Sequence, residues 1–266
     1  MEMIFLGTGN AAVTEYYNTC FAFRQGRECF LVDAGGGNTI LARLKKAGIS
    51  LGDISNIFVT HKHIDHILGV IWLIRMIAQQ MESGKITGTV NIYGHDEVIA
   101  LLEDICGKLL QKKQTKHIGS GILLHTVSDG DKAEILGREI SFFDIHSKKA
   151  KQFGFAMELE GGERLCCCGD EPLNEANEEY ARGCKWLLHE AFCLDSEADK
   201  FRPYEKSHST VKTACETAER MGVENLVLYH SEDSRPETRK QVYMAEGLQY
   251  YRGKLYVPDD MESCEI

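Results

Sequence analysis

Between residues 60 and 66 the chain reads Thr60-His61-Lys62-His63-Ile64-Asp65-His66, so three imidazoles and a carboxylate share one short stretch. Imidazole is the commonest transition-metal ligand, and with a carboxylate beside it the set suits zinc, iron or manganese. In an extended segment, residues two apart face the same side, so His61 and His63 can chelate one ion. Asp65 and His66 fall where the chain turns into an apolar segment, and they face a second direction. One loop can thus serve two neighbouring ions. The competing readings are a surface cluster of histidines or a catalytic pair without metal. Apolar runs on both sides of the loop argue against them.

Such a loop needs a scaffold, and strands and helices alternate along the chain. Short apolar runs bounded by turn residues predict strands at 3–6, 20–24, 29–33, 57–60 and 90–93. Helices are predicted at 38–47, with Gly48 beyond its end, at 66–80 and around 96–110. The middle is strand-rich, at 122–126, 139–145, 154–159 and 164–168. Alternation then returns, with strands at 185–189, 225–229 and 255–257 and helices at 210–221 and 236–249. Helices in both halves around a strand-rich middle fit two sheets packed face to face with helices outside, a four-layer αββα sandwich. No low-complexity linker divides the chain, so a single domain over 1–266 is expected.

Composition narrows the function. Hydrophobic residues are 43% and charged residues 26% of 266, ordinary values for a globular protein with a sizeable core. The start of the chain has no basic, long apolar leader, and the run 67–74 stops at Arg75, too soon to span a bilayer. A soluble, cytoplasmic protein with no membrane partner is expected. The net charge of -10 disfavours a dedicated nucleic-acid binder, although Lys108–Lys116 and Lys148-Lys149-Ala150-Lys151 form local basic stretches. Ten cysteines include no C-x-x-C pair, so a zinc ribbon is not expected. In the run Cys166-Cys167-Cys168, neighbours in a strand would face opposite ways, which reads as core filling.

The loop at 61–66 matches H-x-H-x-D-H, and with it the sequence resembles the metallo-β-lactamase superfamily, most of all its ribonuclease Z branch. Phe5-Leu6-Gly7-Thr8-Gly9 is similar to that branch's opening strand and glycine turn. Phe30-Leu31-Val32-Asp33-Ala34-Gly35 is similar to the strand ending in Asp-x-Gly. The resemblance implies the αββα fold and two divalent metal ions, zinc first, with manganese or iron as alternatives. It implies His61, His63, His146 and Asp170 on one ion, and Asp65, His66, Asp170 and His230 on the other, with Asp170 bridging. Asp33 would orient a ligand without binding metal itself. Glu171 stands where that branch tends to have threonine.

The resemblance also implies an activity. A hydroxide shared by two ions roughly 3.5–4 Å apart would attack a phosphodiester, with Asp65 accepting a hydrogen bond from it. Glu190, in Leu188-His189-Glu190, and His208, in Ser207-His208-Ser209-Thr210, resemble the pair that protonates the leaving oxygen, which leaves poorly without a proton. The carboxylate would orient His208 and raise its protonated fraction. The alternative is that Ser207 or Ser209 caps the next helix and His208 is incidental. One of Lys148, Lys149 and Lys151 is a further candidate for contact with a substrate phosphate. Transfer-RNA-processing members of the branch carry a protruding arm, and the stretch from His146 to Asp170 is too short for one. A phosphodiesterase acting on a small or cyclic, nucleotide-like phosphodiester is therefore expected. Transfer RNA 3′ processing, ester or thioester hydrolysis and non-catalytic metal binding are the alternatives, and a homodimer is compatible with the apolar helix after His66.

Overall fold

Period-two and short apolar runs in this sequence become strands that bury both faces, as helix-covered sheets require. The computed structural model describes all 266 residues, Met1–Ile266. Two units form, each built on one seven-stranded sheet. The first unit comprises Met1–Gly7, Tyr17–Ser128 and Asp260–Ile266. It holds β1 (Glu2–Gly7), β2 (Cys20–Gln25), β3 (Glu28–Val32), α1 (Thr39–Lys46), β4 (Ile54–Val59), α2 (Ile64–Glu82), β5 (Val90–Gly94), α3 (Asp96–Leu109), α4 (Lys112–Thr115) and β6 (Ile122–Thr126). The second comprises Thr8–Tyr16 and Asp129–Asp259. It holds β7 (Lys132–Ile135), β8 (Arg138–Asp144), β9 (Phe153–Glu158), β10 (Arg164–Cys167), α5 (Glu178–Ala181), β11 (Trp186–Glu190), α6 (Ala198–Phe201), α7 (Val211–Met221), β12 (Asn225–Tyr229), α8 (Arg239–Gly247) and β13 (Lys254–Tyr256). The last strand, β14 (Ser263–Glu265), returns to the first sheet beside β1.

In the first sheet the order is β14-β1-β2-β3-β4-β5-β6, and β3 through β6 run parallel. Asp33 and Thr60 therefore leave β3 and β4 at the same edge. Helix α2 packs on this sheet through Ile67, Val70, Leu73, Ile74 and Ile77, all buried in one apolar cluster. Burial of each such side chain contributes roughly 1.5–3 kcal/mol. Its start is pinned to the turn after β3, where Ala34 N donates to His66 O and Gly69 N donates to Gly35 O. Gly69 is required here, since a Cβ would overlap the Ala34 carbonyl oxygen. The helix begins at Ile64 because His63 stays extended and its carbonyl accepts from His66 N and Ile67 N.

The second sheet has the order β13-β12-β11-β10-β9-β8-β7. Strands β10 to β13 are parallel, and β9 runs antiparallel to both β8 and β10. The C-terminal ends of β8, β10, β11 and β12 consequently lie at one edge, the usual place for ligand sites in such sheets. Helix α7 covers it through Val211, Ala214, Cys215 and Ala218. Cys166 and Cys168 belong to that cluster, whereas Cys167 Sγ lies 3.6 Å from Tyr229 Oη. The alternation read from the cysteine run is what the strand adopts. Two strands, β7 and β14, and the short helices α4, α5 and α6 were not predicted, and α8 is shorter than 236–249 because turns flank it at both ends.

Candidate active site

The first unit supplies a histidine loop with its orienting groups. Asp33 is buried, and its backbone takes the left-handed conformation (φ 55°), which Asp tolerates better than most residues. Asp33 Oδ1 accepts from Thr60 N at 2.9 Å, and Oδ2 accepts from Thr60 Oγ1 at 2.8 Å and His66 Nδ1 at 2.7 Å. Thr60 Oγ1, having donated to Asp33, accepts from His61 Nδ1 at 2.9 Å. In both His61 and His66 the Nδ1 proton is thereby committed, and Nε2 is the nitrogen that could ligate a metal. His61 Nε2 lies 2.7 Å from His63 Nδ1, so those two imidazoles converge as the spacing predicts. His66 Nε2 lies 3.4 Å from Asp65 Oδ2. Burial opposes a charge on His66, but the Asp33 and Asp65 carboxylates outweigh it and hold its proton well above the ordinary histidine range. A ring that retains a cationic proton between two carboxylates suits a metal ion in that proton's place. The donor set and its orienting bonds fit a divalent metal.

The second unit supplies carboxylates and imidazoles from four strand ends. Asp170 follows β10 through Gly169, whose φ of 74° favours glycine, with the Gln152 amide packed against it. Tyr229 Oη donates to the Gly169 carbonyl and ties this turn to β12. His230, in the left-handed conformation (φ 58°) at the end of β12, has Nε2 3.6 Å from Asp170 Oδ2, and both residues are buried. His146, also left-handed (φ 57°), ends β8 with an exposed side chain, and its backbone N donates to Asp144 Oδ1. Non-glycine residues in this region are strained and cluster at functional sites. Here Asp33, His146 and His230 are three of them.

Glu190 and His208 form a second pair in this unit. Glu190 is fully buried at the end of β11, and its Oε1 accepts from Ser209 N and Ser209 Oγ. Its Oε2 has no hydrogen-bond partner and faces His208 Nδ1, equally without one, at 3.7 Å. The His208 ring stacks on Phe192 with centroids 4.9 Å apart. Thr210 caps α7, leaving Ser209 to hold the carboxylate. Burial pushes Glu190 well above the ordinary carboxylate range against its Ser209 hydrogen bonds. Burial, with His230 and Lys149 nearby, pushes His208 down to about 3. The pair therefore rests uncharged, with the proton on Glu190. This differs from the expected rise in protonated His208, because desolvation exceeds the attraction of a carboxyl that makes no hydrogen bond to it.

Two residues with a part in this geometry were missed in the sequence. Arg239 is a buried guanidinium that donates to Thr8 Oγ1, Ser231 Oγ, Pro258 O and Asp259 Oδ1 and so fixes the turn beside His230. Its partners lie far apart in the chain, and no local pattern announces them. His189 donates from Nδ1 to Glu190 O at 2.7 Å and accepts at Nε2 from Leu173 N at 3.1 Å, tying β11 to the loop after Asp170. Burial lowers its pKa from 6.5 to about 4. The unfolded chain takes up a proton that the folded chain refuses across that window, so stability falls as pH drops through it. Metal-stripped protein is expected to lose on the order of 3 kcal/mol from this group between pH 6.5 and 4. Urea unfolding of His189→Gln should show a correspondingly shallower slope, and equal slopes would refute the assignment. The remaining histidines stand elsewhere: His125 bonds Asn91, His117 faces Glu82 and His95 precedes α3.

A cleft of about 490 Å³ in the second unit is lined by His146, Lys148, Glu171, Leu173, Tyr204 and His208, among others. Between His146 and Asp170 the chain makes only β9, β10 and a tight connection. No helix is long and apolar enough to cross a membrane.

Residues 1–249 match the family described as "Anti-Pycsar protein Apyc1". The ribonuclease Z of Thermococcus sibiricus is 27% identical over 314 aligned positions, covering 100% of this chain and 96% of that protein. Those 314 positions exceed the 266 residues here, so the relative carries segments this chain lacks. Among solved structures, the metallo-β-lactamase fold protein YhfI from Bacillus subtilis is 17% identical with a TM-score of 0.77, covering 99% and 98% of the two chains. The short form of human tRNase Z is 21% identical with a TM-score of 0.76, covering 100% and 99%. The fold is thus the α/β sandwich of that class.

Proposed function

The chain belongs to the anti-Pycsar protein Apyc1 family, within the ribonuclease Z-like metallo-β-lactamase superfamily, and from that premise we propose a dinuclear phosphodiesterase acting on small or cyclic, nucleotide-like phosphodiesters. It is a metal-dependent hydrolase. We assign His61, His63, His146 and Asp170 to one ion and Asp65, His66, Asp170 and His230 to the other. Within the first unit the pairings His61–His63 and Asp65–His66, and within the second the pairing Asp170–His230, support that division. Two divalent ions, zinc foremost, would supply water activation and neutralise charge on the phosphoryl oxygens. Asp33 and Thr60 hold His61 and His66 in the tautomers that present Nε2. His208 passes a proton from Nε2 to the departing oxygen and is replenished at Nδ1 by Glu190, whose carboxyl rests protonated.

The observation that carries this reading is the Glu190–His208 pair. A protein that only binds metal needs no buried carboxyl aimed at a partnerless imidazole nitrogen. The short β9–β10 hairpin and the net charge of -10 favour a small substrate over structured RNA. The test is turnover of bis(p-nitrophenyl) phosphate and 3′,5′-cyclic mononucleotides beside a transfer RNA precursor transcript. Chelator-sensitive cleavage of the small diesters with the precursor left intact is expected. Faster cleavage of the precursor would replace this reading with transfer RNA 3′ processing.

A further inference from the structure

Three lysines follow His146, and the structure separates them. The Lys151 ammonium lies over the Phe153 ring, 5.6 Å from its centroid, and Lys148 lines the cleft. Lys149 Nζ lies 3.4 Å from His208 Nε2, the imidazole nitrogen on the side away from Glu190. Its backbone is held in place. Ser147 Oγ accepts from Lys149 N at 3.1 Å and Ala150 N at 3.3 Å, and it donates to Glu171 Oε1 at 2.7 Å. Glu171 is buried next to Asp170, so this bond ties the loop after His146 to the turn that carries Asp170. The position where the ribonuclease Z branch tends to have threonine thus serves here to fix a basic loop.

With the His208 proton on Nε2, the side that faces the departing oxygen, the ammonium 3.4 Å away finds no acceptor there and the contact is a weak one. An anionic oxygen is a far stronger partner for it, and lysine is a compact point charge suited to a phosphoryl oxygen. Entry of a phosphodiester would exchange one contact for the other and leave His208 Nε2 to the departing oxygen.

We propose that Lys149 is a substrate-contacting residue whose ammonium binds a non-bridging oxygen of the phosphodiester beside His208, positioned by the Ser147–Glu171 hydrogen bond. The proposal rests on the phosphodiesterase reading above and is tested so that the two can fail separately. Metal-loaded wild type, Lys149→Met, Lys149→Arg, Lys151→Met and Ser147→Ala would be compared on bis(p-nitrophenyl) phosphate. Binding of inorganic phosphate to each would be followed by calorimetry, with metal content and melting as controls. Lys149→Met is expected to lose roughly 10- to 100-fold in kcat/KM, largely through KM, and to weaken phosphate binding by about the same factor. Lys149→Arg should recover most of both, Ser147→Ala should fall between, and Lys151→Met should match wild type. Phosphate affinity unchanged in Lys149→Met, or an equal loss in Lys151→Met, overturns the proposal. Absence of diester turnover in wild type would refute the phosphodiesterase reading alone, because the phosphate calorimetry still decides the role of Lys149.

Discussion

His208→Ala is expected to lower kcat on a poor-leaving-group phosphodiester about 10²- to 10⁴-fold, the usual contribution of a positioned general acid. Bound metal and melting temperature should stay at wild-type levels, since the ring takes no part in the Asp33 network and packs mainly on Phe192. The loss should shrink on p-nitrophenyl esters, whose leaving group departs without a proton. Glu190→Gln should follow in the same direction, because the amide keeps the Ser209 contacts with Oε1 but cannot replenish the proton at His208 Nδ1. Steady-state kinetics on both substrate types, with metal analysis of each variant, check this. A variant that loses metal in step with activity, or loses neither, would remove His208 from the chemistry.

The second large effect is expected at Asp33. Its carboxylate receives Thr60 N, Thr60 Oγ1 and His66 Nδ1 in a buried setting. Alanine there would strand all three and leave a buried cationic imidazole with Asp65 as its one remaining carboxylate, which costs roughly 3–5 kcal/mol. Asparagine tolerates the left-handed backbone and can still accept one bond. Asp33→Asn should therefore fold, yet hold metal about 10- to 100-fold more weakly, as removal of an orienting partner does. Thermal melts and competitive chelator titrations distinguish the two variants. Wild-type metal affinity in Asp33→Asn would show that the histidine loop needs no such support.

Much of this was readable before any coordinates. Short apolar runs such as Phe30–Val32, Ile57–Val59 and Leu226–Tyr229 announced the central strands, and the histidine loop announced the chemistry. The edge strands β7 and β14 were silent because their sequences are polar: Lys132–Ile135 alternates charged with apolar residues, and Ser263–Glu265 has only Cys264 to bury. The start of α2 moved two residues because His63 stays extended, which periodicity does not register. The roles of His189, Arg239 and the Ser147–Glu171 bond come from contacts between segments distant in sequence. Glu171 had even looked like a simple departure from a motif. The polarity of the Glu190–His208 pair was legible in residue type but not in protonation, since burial decides it.

The proposed phosphodiesterase depends on two divalent ions. The direct measurement is turnover of bis(p-nitrophenyl) phosphate as zinc or manganese is titrated into chelator-stripped protein, with bound metal measured in parallel. Activity is expected to rise from zero and break near two equivalents, and Asp170→Ala should abolish both the second equivalent and the turnover. Full activity in stripped protein, or saturation of metal binding with no effect on the diester, would contradict the account.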